Sequence, residues 1–586
     1  MVPVARVCLL RALPLVIVVL VALKATGYVG ARPDTPRQLA ERLLAGTGAP
    51  APARGTAAGG PSLFTDVAQD AGIRFCHDND ARGEFRLPEE MGPGAAFVDI
   101  DGDGDLDIFV AGGGSIVGDG SPQRCRLYRN DGGRFTDITD ASGAGVPGPA
   151  YGVACADFDD DGDVDIFVTR LGPDVLLRND GPPSAPRFVD IAAEAGVADP
   201  GFGTSASFFD YDRDGRLDLY VARYLDWSAA RETVCYTILG VRDYCNPMSY
   251  AAPSRDKLYR NLGDGTFQDV SLQAGITGET GNGLGVLASD FDDDGWIDLY
   301  VANDQTPGFL WHNRGDGTFE NVAALAGCAY DDRGVAIAGM GVAGEDLDGD
   351  GDVDLLVTNI HHQTHLVLRN DNGFFDDASL GMGLGRWSIP ATTFGVALFD
   401  QDNDGRLDAF FANGEVNVDN ALPVGENPYA QPDHFARLVD GVFVDATDGS
   451  GLAFGDVGRA VACGDYDNDG DRDLLVTNNG GPVRLFRNNN DSGNAWLVVQ
   501  TRTGPGGRNA IGARVTVTAA GTTRSTDIRP QQSYLSSGDP RAHFGLGRAT
   551  TVDRIEVRWP DGSCSVRTGV RVNQLVVIEQ GEEDPS

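Results

Sequence analysis

The chain has 586 residues, with 86 acidic side chains against 46 basic ones and a formal net charge of −40. Such an acidic excess excludes nucleic acid as a partner, because phosphate binding needs a basic face. Length alone would suggest several domains, but internal repeats merge their units into one body.

In chain order, Arg6 and Arg11 precede an apolar run from Ala12 to Leu23, and Val29-Gly-Ala31 resembles a small-residue cleavage site. Residues 1–31 are expected to be a signal peptide. The run is short of the roughly 20 residues that a membrane span needs, and the alternative is an uncleaved N-terminal anchor, which would be the chain's one tie to a membrane. Residues 32–61, rich in Ala, Pro, Gly and Arg without a sustained period, read as a linker. Cys8 lies in the leader, and the eight remaining cysteines are consistent with an oxidising compartment. Cys235 and Cys245 share one insertion and are the expected disulfide. Cys155 and Cys463, each two residues before a loop described next, are expected to be buried small apolar residues.

From residue 62 a unit repeats whose centre is a nine-residue loop written seven times. Positions 1, 3, 5 and 9 are always Asp and position 6 is always Gly. The Asp sets are Asp99, Asp101, Asp103 and Asp107; Asp157, Asp159, Asp161 and Asp165; Asp210, Asp212, Asp214 and Asp218; Asp290, Asp292, Asp294 and Asp298; Asp346, Asp348, Asp350 and Asp354; Asp400, Asp402, Asp404 and Asp408; and Asp465, Asp467, Asp469 and Asp473. Carboxylates at this spacing converge only if the backbone curls tightly, which Gly at position 6 permits. Converged, they repel one another unless a hard cation such as Ca²⁺ neutralises them. Position 7 varies freely, as expected if only its carbonyl is a ligand. About seven Ca²⁺ ions are therefore expected, and they would leave a net charge of about −26. An EF-hand is excluded: it needs a bidentate Glu at position 12, where this chain has Val110, Val168, Val221, Val301, Val357, Phe411 and Val476. These sit in β-branched and aromatic runs that read as strands.

Each unit adds a Leu-aromatic-Arg-Asn strand, such as Leu127-Tyr-Arg-Asn130 or Leu310-Trp-His-Asn313, and a Phe-x-Asp strand, joined by Gly/Asp turns as a hairpin. Four antiparallel strands per unit and seven units fit a seven-bladed β-propeller over residues 62–490. Phe64-Thr-Asp66 has no preceding strands and the last unit stops after Leu485-Phe-Arg-Asn488, so the N-terminal strand is expected to complete the last blade. Residues 494–581 carry alternating strands without loop motifs and read as a separate small β-sandwich, for an all-β chain.

These features resemble the FG-GAP/VCBS-repeat proteins of the cartilage acidic protein type. The C-terminal segment resembles that family's ASPIC/UnbV domain through Gly512-Ala-Arg-Val515, Gln532-Ser-Tyr-Leu-Ser536, His543-Phe-Gly-Leu-Gly547 and Val557-Arg-Trp-Pro560. The resemblance implies a secreted or cell-surface calcium-binding propeller, similar in architecture to the integrin α-subunit head, that binds or adheres to an extracellular protein or glycan. It brings no catalytic residues. Two departures are the 80-residue spacing between the third and fourth loops and Arg472 in place of an apolar residue at position 8.

The face opposite the calcium loops is the expected ligand face. Its candidates are Arg170, Arg223, Tyr224, Asn303, Asn359, His361, His365 and Asn413, set against the plainer reading that Asn and Arg cap strand ends. His361 and His365 are spaced to share a transition metal, although surface histidines in a turn would look the same. The rival function is a secreted carbohydrate-active lyase or hydrolase on that face, for which Glu84, Asp304 and Glu415 are single acidic residues without an evident partner.

Overall fold

The computed structural model describes residues 62–582 apart from 119, 386, 419–426 and 505. The expected signal peptide and linker (1–61) lie outside the described residues. Among those described, no helix is long and apolar enough to cross a membrane.

The first unit shows how sequence becomes sheet. Ala95–Val98 and Asp107–Val110 are fully buried and, Asp107 apart, apolar; they are joined by an acidic loop and pair antiparallel with Val98 opposite Asp107. Arg126–Asn130 and Phe135–Asp137 follow as a hairpin. Position 9 of every loop is thus the first residue of a second strand, opposite the last residue of the first strand. Five further four-stranded units begin at Ala150, Pro200, Gly283, Val342 and Thr393. In the last unit Gly458–Gly464, Asp473–Asn478 and Arg484–Asn488 are completed by Phe64–Asp66, with Phe64 opposite Asn488.

The first strands of successive units lie side by side, and the last, Gly458–Gly464, returns to the first, Ala95–Val98. This is the closed ring of a β-propeller. Its core is divided among the gaps between units. Phe109, Leu127, Ile166 and Phe188 fill one gap, and Ile108, Tyr128, Leu475 and Leu485 fill the gap where last and first units meet. The sheet faces of each unit are buried mainly by its neighbours, so ring closure removes the two exposed ends that an open stack would leave.

The C-terminal segment forms two four-stranded sheets around Leu497, Val515, Phe544, Ile555 and Trp559. The expectation of a separate sandwich needs correction, because residues 529–541 leave it and enter the centre of the ring. There Gln531–Gln532 and Ser536–Ser537 pair as a short hairpin, and Ser537 bridges in parallel to Ala96. The tip is hydrogen-bonded by innermost strands of several units. Val342 and Ser533 exchange backbone bonds of 3.0 and 2.6 Å, Val153 N–H donates to Leu535 O at 3.1 Å, and Val396 N–H donates to Ser533 Oγ at 2.9 Å. Leu535 N–H donates to Ser205 Oγ and the Tyr534 hydroxyl to Met91 O, both at 3.1 Å. Tyr534 and Leu535 are fully buried. Ser533 and Leu535 hold φ of 75° and 57°, a left-handed backbone that non-Gly residues keep only where their surroundings fix it.

Candidate functional site: the loop face

All seven loops are built by the same hydrogen bonds. Position 6 N–H donates to a carboxylate oxygen of position 1, as in Gly104 to Asp99 and Gly470 to Asp465. Position 7 N–H donates to position 5. Position 9 accepts from position 2 N–H, as in Asp107 from Ile100. These bonds satisfy the outer oxygens and turn the others inward. Ligand oxygens of Asp99, Asp101 and Asp107 lie within 4.8 Å of one another, as do those of Asp157, Asp159 and Asp165 and of Asp210, Asp212 and Asp218. One oxygen of the position-3 carboxylate is buried and unpartnered in Asp101, Asp159, Asp212, Asp402 and Asp467, and one of position 1 in Asp99 and Asp290. Burial first, then the neighbouring carboxylates, push Asp101 up to about 6 and Asp107 to about 8. Buried, inward-facing oxygens that repel one another fit a hard divalent cation, with the position-7 carbonyl free to join.

Three positional roles were not evident from the motif. Position 4 is left-handed in every loop (Gly102, Asp160, Arg213, Asp293, Gly349, Asn403, Asn468); the preference for Gly, Asn and Asp there was the available signal. The Asn of the Leu-aromatic-Arg-Asn strand is a clasp between units. Its N–H donates to the position-9 Asp of its own unit, and its side-chain amide donates to the position-2 carbonyl of the preceding one. Asn261 reaches Phe158 O, Asn313 reaches Tyr211 O and Asn130 reaches Tyr466 O, each at 2.8 Å, the last across the ring closure. In some units the Arg one residue earlier meets position 3, as Arg260 meets Asp212 at 2.8 Å and Arg369 meets Asp348, whereas Arg129 and Arg178 pair with Asp131 and Asp180.

The C-terminal domain sits on this loop face, and its Arg and His side chains engage the carbonyls of position-6 glycines. Arg508 donates to Gly215 O at 2.6 Å, Arg524 to Gly405 O at 2.8 Å and Arg541 to Gly104 O at 3.4 Å, while His543 Nε2 lies 3.0 Å from Gly470 O. Arg558 pairs with Asp290 and Asp293 at 3.2 and 2.7 Å. Arg472, the departure at position 8, donates to Cys463 O and faces Asp539 of the central hairpin. Two clefts of about 350 and 420 Å³ stay open along this seam.

On the opposite face, burial corrects the expected ligand ring. Arg223, Tyr224, Asn303, Asn359, His365 and Asn413 are buried. Asn303, Asn359 and Asn413 donate to the carbonyls of Pro307, Thr364 and Pro432 at 2.7 Å, holding the turns. Arg223 is paired with Asp174, Arg170 donates to Pro147 O and Tyr224 donates to Asp304. His361 and His365 do not share a metal. His365 accepts from Asn359 N–H and meets Thr393, with burial lowering it to about 3, whereas His361 faces Glu415 at 3.5 Å. His365 is thus a core residue, contrary to the surface reading. Glu415 also accepts from Thr392 and Gln431, and Glu84 meets Arg242.

The structure pairs Cys235 with Cys245, Cα atoms 5.2 Å apart. Cys155 and Cys463 are buried and free. The disulfide closes a hairpin, Cys235–Tyr236 with Arg242–Asp243, whose tip leaves Ile238 90% and Leu239 85% exposed. Beside it lies a cavity of about 120 Å³ lined by Glu90, Tyr224, Tyr244, Asp304 and Phe394.

Comparison with known families matches an FG-GAP-like repeat to residues 99–168, 157–221, 248–301, 290–340 and 346–411, an FG-GAP repeat to 457–498, and an ASPIC and UnbV domain to 503–585. Cartilage acidic protein 1 of Xenopus tropicalis is 28% identical over 534 residues, covering 85% of this chain and 75% of its own. The Homo sapiens protein of that name is 29% identical over 537 residues, covering 85% and 73%. A solved rhamnogalacturonan lyase from Bacillus licheniformis covers 86% of this chain and 93% of its own at 11% identity, with a TM-score of 0.31, too low to bear on activity.

Proposed function

The chain is an FG-GAP-repeat protein with a C-terminal ASPIC and UnbV domain, and from that premise we propose an exported binding or adhesion protein whose calcium is structural. Inward, unpartnered carboxylate oxygens in six of the loops, and the same Asp spacing in the fifth, support a Ca²⁺ that fixes each loop and, through it, the glycine carbonyls on which the C-terminal domain rests. Relatives called cartilage acidic protein and the N-terminal leader pattern support an extracellular location.

The C-terminal domain occupies much of the loop face, which favours the opposite face for the partner. The observation that carries this is the disulfide-closed hairpin: Tyr236, Ile238, Leu239 and Val241 form an exposed apolar tip on a pinned backbone. Large aliphatic side chains held in water favour a protein groove as partner over a glycan, which aromatic stacking and hydrogen bonds would serve better. Calcium-loaded full-length protein should bind intact cells or extracellular matrix saturably. The Ile238→Asp, Leu239→Asp variant should bind at least about tenfold more weakly, roughly 1.4 kcal/mol, with an unchanged melting temperature. Equal binding by the variant removes the hairpin from the interface, and no saturable binding by the parent protein removes the adhesion function.

A further inference from the structure

The fourth loop differs from the other six. Where the remaining units have Arg at the corresponding strand position (Arg129, Arg178, Arg260, Arg369, Arg437, Arg487), with Arg260, Arg369 and Arg437 paired to the position-3 carboxylates, the fourth has His312. A guanidinium is always protonated and cannot ligate a metal, whereas a neutral imidazole offers a nitrogen lone pair. His312 Nδ1 lies 3.3 Å from Asp292 at position 3 and 3.3 Å from Asp298 at position 9. Ligands about 2.0–2.2 Å from a shared ion stand roughly 3 to 3.5 Å from one another, so the three atoms already have the spacing of a coordination face.

A second observation points the same way. Asp290 is 6% exposed and one of its oxygens is buried without a partner. Its other oxygen is held by Arg558 at 3.2 Å and by Gly295 N–H at 3.1 Å. Ligand oxygens of Asp290, Asp292 and Asp294 lie within 4.8 Å of one another, as do ligand atoms of Asp292, Asp298 and His312.

We propose that the fourth loop is a mixed nitrogen–oxygen site that takes a zinc-class divalent ion in preference to Ca²⁺, with His312, Asp292, Asp298 and Asp290 as ligands. Calcium takes oxygen ligands, while imidazole suits first-row transition ions. The proposal rests on the reading of the loops as cation sites but separates from it in metal identity. Full-length protein is equilibrated with millimolar Ca²⁺ and micromolar Zn²⁺, freed of unbound ions, and its metals counted by elemental analysis. About one Zn²⁺ per chain is expected, with Ca²⁺ in the other loops. His312→Arg, which installs the side chain of the six sibling loops, should lose the zinc and keep that calcium, whereas His361→Ala should keep both. Calcium without zinc in the parent protein overturns the proposal and means that His312 only bridges the two carboxylates as a proton donor. Zinc retained by His312→Arg also overturns it. Absence of calcium from all loops, with zinc still bound, would instead overturn the calcium reading alone.

Discussion

Removing calcium with excess EGTA should lower the melting temperature by roughly 15–20 °C in scanning calorimetry. A site at a calcium concentration 100-fold above its dissociation constant contributes about 2.7 kcal/mol. Seven such sites, counting the fourth, whose ion EGTA also removes, sum to roughly 19 kcal/mol, against a typical total stability of 5–15 kcal/mol. An unfolding entropy of about 1 kcal/mol/K for a chain of this length converts that sum to the stated shift. Protonation offsets part of the loss, since burial already holds Asp107 and Asp400 near 8. The effect reaches beyond the loops. Gly215, Gly405 and Gly470 present their carbonyls to Arg508, Arg524 and His543 only while the loops keep their curl, so chelation should also expose the strand Ala495–Thr503 to protease. A melting curve unchanged by EGTA would remove calcium from the account of stability, and protease resistance unchanged by EGTA would remove its coupling to the C-terminal domain.

What could be deduced from the amino-acid order and what could not divide along physical lines. The loops were legible because ligand chemistry is local: four Asp and one Gly at set spacing leave few backbone paths. The missing strands at the chain ends foretold that the N-terminal strand would complete the last unit, where Phe64 lies opposite Asn488. The hairpin Gln531–Ser537 was not legible. Gln-Ser-Tyr-Leu-Ser looks like ordinary polar surface, and its burial depends on the width of a channel whose walls come from units hundreds of residues away. The ligand ring failed for a related reason. Asn at a strand end looks the same whether its amide meets a ligand or the next turn, and only the path of the Pro307 or Pro432 carbonyl decides. The clasp role of Asn261 and Asn313 was hidden because its acceptors lie on the preceding unit.

Leu535→Asp should withdraw the central hairpin from the ring. Leu535 is fully buried where the innermost strands converge, and burying a carboxylate there costs several kcal/mol. Leu535→Ala, which only leaves a cavity, should cost about 2–5 kcal/mol and keep the hairpin in place. The two variants separate by amide hydrogen exchange. Val342 and Val153 donate their N–H groups to Ser533 and Leu535, and Val396 donates to the Ser533 hydroxyl. All three lie on first strands, where hairpin withdrawal strands them in the channel. Under conditions that keep the ring folded, their exchange should rise by two orders of magnitude or more in Leu535→Asp, while Val168 and Val221 on the second strands stay protected. If Val342 and Val153 remain as protected as in the parent protein, the hairpin is a passenger in the channel. If second-strand amides open with them, the hairpin is a keystone of the ring, and the C-terminal domain belongs to the propeller's own folding unit.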